Sequence, residues 1–177
     1  MRSALRARWG TLCEDEPMET APPTSLRDEV AARLEQDFAE LWGVLQAAAA
    51  VSLRNQRHGQ AAKAMAAYLA ARGRLAISAF EDLASGRRPV LFGINDEGLR
   101  AMAPYATIEL PLDAVLRWLK AVHERLVEHV RSSDPAWWAD DSGRGELTTA
   151  LGVGRDGVTP YAAAAAALRQ QLSATSP

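Results

Sequence analysis

The stretch YATIELPLDAVLRWLKAVHERLVEHV (Tyr105–Val130) carries a well-formed amphipathic pattern that decides the fold class. Pro111 suits the first turn of a helix, where its missing N–H donor would have no partner. Apolar residues then recur every three or four positions, the spacing that lines one face of an α-helix; they are Leu112, Val115, Leu116, Leu119, Val122, Leu126, Val127 and Val130. We therefore predict a helix from Pro111 to about Ser132 with one face in a core.

His123 lies in the middle of this apolar face, and we weighed it as a ligand, a sensor and a packed core residue. A helical metal pair needs its second ligand three or four residues away, and those positions hold Leu, Lys, Leu and Val. One axial histidine could still hold a haem in an apolar pocket. The favoured interpretation is a neutral structural histidine with a lowered pKa. We expect one ring nitrogen to donate to a backbone carbonyl near Gly43 or Gly73.

Start and stop signals divide the rest of the chain into further helices. Ser25 with Asp28 is a variant capping box, the Ala-rich stretch that ends at Gly86 is helical, and Asn95 can cap a short helix that Pro104 limits. Asp134–Pro135 starts another short helix, and PYAAAAAALRQQL makes a last one. These signals predict five or six helices and no strand, an all-α bundle, possibly globin-like. We expect a disordered tail at 1–24, a bundle at 25–135 and a C-terminal helical extension at 136–177.

Composition excludes several functional classes. The 177 residues suit one domain, and a net charge of −2 gives no field that attracts nucleic acid. The first twenty residues carry Arg2, Arg6 and Arg8 without the apolar region of a secretory signal. No apolar run reaches the roughly 18 residues of a membrane span, and the one cysteine, Cys13, fits a reducing compartment. We expect a cytoplasmic protein that does not bind membranes.

Two motifs in the C-terminal third point to nucleotide or DNA binding. GVGRDG (152–157) matches a dinucleotide fingerprint, but that fingerprint needs a βαβ unit, so we expect a flexible loop. Residues 146–172 also resemble a helix-turn-helix, in which Pro160 would break the recognition helix. Only Arg155 and Arg169 are available nearby for phosphate contacts. DNA binding is kept as an alternative that we do not expect.

The order of elements around Tyr105–Val130 resembles the helical N-terminal sensory domain of PucR-type transcriptional regulators, which is similar to that of RsbR-like stressosome proteins. The counterparts are FEDLASGRRP, DEGLRAMA and ATIELPLDAVL, and the similarity covers roughly residues 25–135. His123 falls where several of those sequences carry a histidine. The pattern departs at Glu109 (usually glycine), Leu119 (usually aromatic) and Val122 (usually small). The resemblance implies a sensory domain in bacterial signalling or transcription regulation.

No nucleophile has an evident base, so we expect no enzyme, no catalytic residue, no metal and no cofactor. The expected function is regulatory or sensory, through protein–protein contact or small-ligand sensing, as a homodimer with a regulatory protein partner. A haem-binding or ligand-binding globin-like sensor is a second alternative. Residues chosen as candidates to line a ligand pocket are His123, Leu119, Trp118, Phe80, Trp137 and Trp138. At least one of the two adjacent tryptophans is expected to close the end of the bundle instead.

Overall fold

The structure, a computed structural model, describes residues 25–52, 56–90, 94–154 and 156–174, and the tail predicted at 1–24 lies outside them. The described residues form an all-α bundle of seven helices, one or two more than predicted, without strands. The helices are α1 (Leu26–Val51), α2 (Gln56–Ala84), α3 (Asp96–Ala106), α4 (Leu112–Ser132), α5 (Pro135–Ala139), α6 (Asp141–Leu151) and α7 (Pro160–Ala174).

The predicted start signals are confirmed by their hydrogen bonds. The Ser25 hydroxyl accepts from the Asp28 backbone N–H, Asn95 caps α3 by accepting from the Glu97 N–H, and Asp134 caps α5. Each cap satisfies a backbone donor that has no partner inside its helix. Sequence signals therefore placed most helix starts correctly.

The prediction that Pro104 limits α3 was wrong, because the helix continues to Ala106. A proline removes the hydrogen bond to the carbonyl four residues earlier. Here that carbonyl belongs to Arg100, an exposed residue, which water can solvate in place of the lost N–H. A proline in the last turn is therefore tolerated at this position.

Helices α2 and α4 pack closely along the middle of the bundle. The inner face of α2 is mostly alanine, and a Cβ added at Gly73 would lie 2.6 Å from Cγ1 of Val122. Small residues on α2 thus make room for the branched side chains of α4. Helix α1 covers α4 and α2 on one side, and α7 lies on α1 and α2.

One hydrophobic core includes residues from both sides of the expected boundary at 135. Trp138, Leu147, Tyr161 and Leu168 are buried with the side chains of α1, α2 and α4 in a single cluster. The described helices α5, α6 and α7 therefore share one core with α1, α2 and α4.

Candidate functional site

His123 stacks face to face on Phe38 across the α1–α4 contact. The two ring centroids are 3.7 Å apart and the planes differ by 6°. The edge of Tyr161 from α7 approaches both rings, at 5.3 Å from each centroid. Because Phe38 and His123 project from different helices and Tyr161 from a third, this triad joins α1, α4 and α7 at one point of the core.

The imidazole is buried, as predicted, but the predicted hydrogen bond to a carbonyl near Gly43 or Gly73 is not formed. Nδ1 of His123 is enclosed and has no hydrogen-bond partner among the described residues. Phe38 covers the ring face and offers only a π surface. Burial lowers the pKa of His123 to about 4, because an apolar environment disfavours the charged imidazolium. The prediction of a neutral buried histidine with a depressed pKa is confirmed.

A buried carboxylate lies one residue before Phe38 and ties α1 to α7. Oδ2 of Asp37 accepts hydrogen bonds from the Thr159 hydroxyl at 2.8 Å and from Nε of Arg33 at 3.1 Å. The Thr159 Oγ1 in turn accepts from the Ala162 N–H and so caps the first turn of α7. Sequence analysis missed this pair, since the two residues lie far apart in the chain. It fixes where α7, and hence Tyr161, meets the core.

The six predicted pocket residues do not come together around one cavity. Leu119, Phe80 and His123 are buried in the core, and Trp118 is half-buried at its edge. Trp138 is buried and its indole N–H donates to the Ser133 hydroxyl at 2.8 Å, while Trp137 is half-buried. Trp138 therefore closes the end of the bundle, as expected for one of the tryptophans.

The cavity next to the aromatic triad is small. It is bordered by Tyr161, Gly73 and Leu126 among others, and it measures about 10 Å³, which is room for roughly one water molecule. Pockets that hold cofactors or drug-sized ligands usually measure about 300–1,000 Å³. The core beside His123 therefore gives the haem alternative no support in this conformation.

A polar cluster that the sequence analysis did not identify lies between α2, α3 and the start of α7. The Tyr68 hydroxyl and Nη1 of Arg72 both bind the carboxylate of Asp96, at 2.8 and 2.7 Å. The Arg100 guanidinium lies over the Tyr68 ring, 4.6 Å from its centroid, a cation–π contact. The signal was Tyr68 and Arg72 four residues apart on an otherwise alanine-rich helix face.

This cluster borders an open groove of about 420 Å³ whose other wall is the glycine-containing loop before α7. Gly152 ends α6 with a positive φ of 70°, and the Arg72 guanidinium packs against it so closely that a Cβ would collide. The described residues of the motif, 152–154 and 156–157, lie between α6 and α7, and Arg155 lies outside the described residues. No strand precedes the motif in the described part of the chain, so it lacks the context of a dinucleotide fingerprint.

The helix-turn-helix alternative loses its structural basis in the described residues. No helix spans Pro160, because α7 begins there. The inner face of α7 is used in the core, and the Arg169 guanidinium on its surface is paired with Glu40 of α1 at 2.6 Å. A recognition helix needs an exposed face with free basic side chains.

An exposed apolar surface covers the outer side of α3 and the turn into α4. We call this surface the α3 patch and define it by Met102, Tyr105, Ile108 and Leu110, whose exposed fractions are 65, 69, 64 and 43%. The inner side of α3 packs on α2 through Leu99, Ala103 and Thr107. Exposed apolar patches of this kind often serve as interaction surfaces in other proteins.

The rim of the α3 patch carries carboxylates. Glu97 and Glu109 are exposed and form no ion pair within the described ranges, while Asp113 pairs with Arg117. The Lys63 ammonium donates to the Ile108 carbonyl at 2.9 Å and so holds the turn against α2. Glu97 and Glu109 thus place negative charge near the exposed apolar side chains.

No three His, Cys, Asp or Glu side chains in the described ranges are arranged to hold a metal ion. Within the same ranges no helix combines the length and hydrophobicity needed to cross a bilayer.

Comparison of the chain with family models, curated proteins and solved structures gave no match. The PucR-like or RsbR-like resemblance and the globin-like arrangement are therefore still predictions.

Proposed function

We propose that this chain is a non-enzymatic regulatory domain that acts through protein–protein contact at the α3 patch. The observation that carries the proposal is the exposure of Met102, Tyr105 and Ile108 on α3 and the turn after it, while the other side of α3 packs on α2. The segments DEGLRAMA and ATIELPLDAVL, which carry the resemblance to sensory domains, contain three of the four patch residues, Met102, Ile108 and Leu110. Regulation of signalling or transcription from the cytoplasm is part of the same proposal.

The partner that fits is an amphipathic segment with arginine or lysine beside its apolar side chains. Its apolar face would cover the patch, and its cations would approach Glu97 and Glu109, which form no ion pair within the described residues. The patch exposes on the order of several hundred Å², whereas stable complexes bury about 800 Å² on each partner. The proposed contact is therefore smaller than a typical stable interface.

A homodimer remains our expectation, but a second copy fits the patch less well. A two-fold contact places the same surface of each copy against the other. Glu109 of one copy would then face the carboxylate rim of the next, and like charges in a contact oppose association. Light scattering over a range of concentrations measures the oligomeric state directly.

The proposal is tested with a synthetic amphipathic peptide that carries leucine and arginine at helical spacing. We expect saturable binding by fluorescence anisotropy, weakened at least tenfold in the double variant Tyr105→Asp, Ile108→Asp. The control is Val51→Asp, which adds one negative charge at another exposed apolar position, 40% exposed at the end of α1; each single patch variant, Tyr105→Asp or Ile108→Asp, matches it in charge. A peptide whose arginines are replaced by glutamate should bind weakly. Equal binding to the patch variant and the control would exclude the α3 patch as the contact surface.

A further inference from the structure

We infer that residues 2–12 of this same chain occupy the α3 patch when no partner is bound. The inference rests on the proposed function of the patch and goes beyond it by naming an internal occupant and hence a mode of autoinhibition. Twenty-four residues precede Ser25 in the chain and lie outside the described residues.

The composition of residues 2–12 matches the partner that the α3 patch requires. Leu5, Trp9 and Leu12 follow one another at intervals of four and three residues, the spacing that would put them on one side of a helix. Arg2, Arg6 and Arg8 lie between and beside them, with no acidic residue before Glu14. An apolar stripe with a charge of +3 complements an apolar surface beside Glu97 and Glu109, whose carboxylates form no ion pair with the described residues.

The chain between this segment and the bundle is long enough to span the required distance. Helix α1 starts beside the end of α4, where Nη1 of Arg27 donates to the Ser133 carbonyl at 3.3 Å. The α3 patch lies at the other end of α4, because Leu110 precedes its first residue, Leu112, by two. An α-helix of the length of α4 measures about 30 Å, and the twelve residues 13–24 reach about 40 Å when extended. Docking within one chain is thus sterically possible.

Cys13 offers a direct test, because it is the only cysteine and follows the proposed segment immediately. A nitroxide attached to its thiol in the full chain broadens NMR signals of nearby protons. We expect strong broadening at the Met102 methyl group and at the Ile108 amide. It should be lost in the variant Leu5→Asp, Trp9→Asp and weakened at high salt. In a second sample, chains that carry the nitroxide are mixed with isotope-labelled chains that carry none. If docking is within one chain, the isotope-labelled chains should show no such broadening.

The outcomes separate this inference from the proposed function. Addition of the synthetic arginine-containing peptide should restore the Met102 signal, because it competes for the same surface. Broadening confined to the start of α1 and the nearby Trp138 indole would overturn the inference, as would broadening that appears only between mixed chains. If the peptide still bound the patch in that case, the proposed function would stand without an internal occupant. If the tail docked but no peptide bound the patch, contact with an external partner would be the part that fails.

Discussion

The imidazole of His123 lies parallel to the ring of Phe38, with 3.7 Å between the centroids, and this contact takes the place of a hydrogen bond. A neutral histidine ring can stack on a phenyl ring, whereas its enclosed Nδ1 has no hydrogen-bond partner among the described residues. Stacked aromatic pairs contribute about 0.5–1.5 kcal/mol beyond their buried area. A buried polar atom without a partner costs about 1–3 kcal/mol. At neutral pH the stabilising stack and the destabilising unpaired Nδ1 of His123 are therefore similar in size.

Replacement of His123 by leucine should leave the free energy of unfolding at pH 7 unchanged or raise it slightly. Leucine loses the stack but removes the unpaired Nδ1. We expect urea denaturation to give a change of about 1 kcal/mol or less, since the two effects are similar in size. The control is His129→Leu at the surface of α4, where the ring is only partly buried and contacts the Arg125 carbonyl. A loss of several kcal/mol at His123 would show that the ring makes a specific contribution to stability.

The same substitution should reduce the acid sensitivity of the protein. The folded-state pKa of His123 is depressed to about 4 from an ordinary 6.5, so the unfolded chain binds a proton first as the pH falls. The stability contribution is complete above about pH 6.5 and is lost progressively as the pH falls to about 4. One pKa unit corresponds to about 1.4 kcal/mol, so the complete loss is about 3 kcal/mol. Urea denaturation at several pH values gives the free energy of unfolding, which should fall less steeply between pH 7 and 5 for His123→Leu than for the wild type. An equal decrease in both proteins would contradict the buried-histidine interpretation.

His123→Asp should destabilise the protein by several kcal/mol at pH 7. It places a carboxylate against the Phe38 ring, and burial of a charge without a partner is costly. His123→Asn, which is polar but uncharged, separates the cost of charge from that of polarity. We expect the aspartate variant to recover stability relative to the asparagine variant as the pH falls, because protonation neutralises the carboxyl group. Thermal unfolding at pH 7 and pH 5 compares the two.

Two glycines should respond in opposite directions to replacement by alanine. At Gly43, in the middle of α1, an added Cβ has no neighbour within 4 Å, so Gly43→Ala should stabilise by about 0.5–1 kcal/mol through helix propensity. At Gly73 the added Cβ would lie 2.6 Å from Val122, so overpacking should cost about 1–3 kcal/mol. Val122→Ala should rescue Gly73→Ala in a double-mutant cycle. Equal changes in the free energy of unfolding at both glycines would contradict the close α2–α4 contact at Gly73.

The buried Asp37–Thr159 hydrogen bond should contribute more to the free energy of unfolding than an exposed ion pair does. We expect Asp37→Ala and Thr159→Val each to lower the free energy of unfolding by about 1–3 kcal/mol, with Thr159→Ser largely neutral because it keeps the hydroxyl. The control is Arg117→Ala, which removes an exposed pair with Asp113 and should cost less than about 1 kcal/mol. A coupling near zero between Asp37 and Thr159 would contradict their direct contact.

The absorbance spectrum of purified protein tests the haem alternative independently. We expect no Soret band, because Phe38 covers the His123 ring and the adjoining cavity is about 10 Å³. Adding hemin to the protein should give the same weak spectral change in wild type and in His123→Leu. A Soret shift that disappears in the leucine variant would identify His123 as an axial ligand and would require the core around Tyr161 to open.

Local sequence signals determined most of the helix starts. A cap such as Ser25 with Asp28, or Asn95 with Glu97, acts within three residues, so the information lies in one short stretch of chain. The stripe on α4 was likewise readable, because the residues of one helix face recur at a fixed spacing. Burial of His123 and the direction of its pKa follow from that stripe alone. Pro104 shows the limit of such rules, since solvent access to the Arg100 carbonyl decided how far α3 continues.

What only the tertiary structure decided is which faces meet. The sequence places His123 inward but cannot state that Phe38 lies opposite, because the register of α1 against α4 depends on how side chains of two helices interlock. The same holds for Asp37 with Thr159 and for Tyr68 with Asp96, whose partners are distant in the chain. Met102 and Tyr105 are as apolar as core residues, and they are exposed because α2 covers only the opposite side of α3. Hydrophobicity is a property of each residue, whereas burial is a property of its neighbours, and for this reason the candidate interaction surface emerged only from the packed bundle.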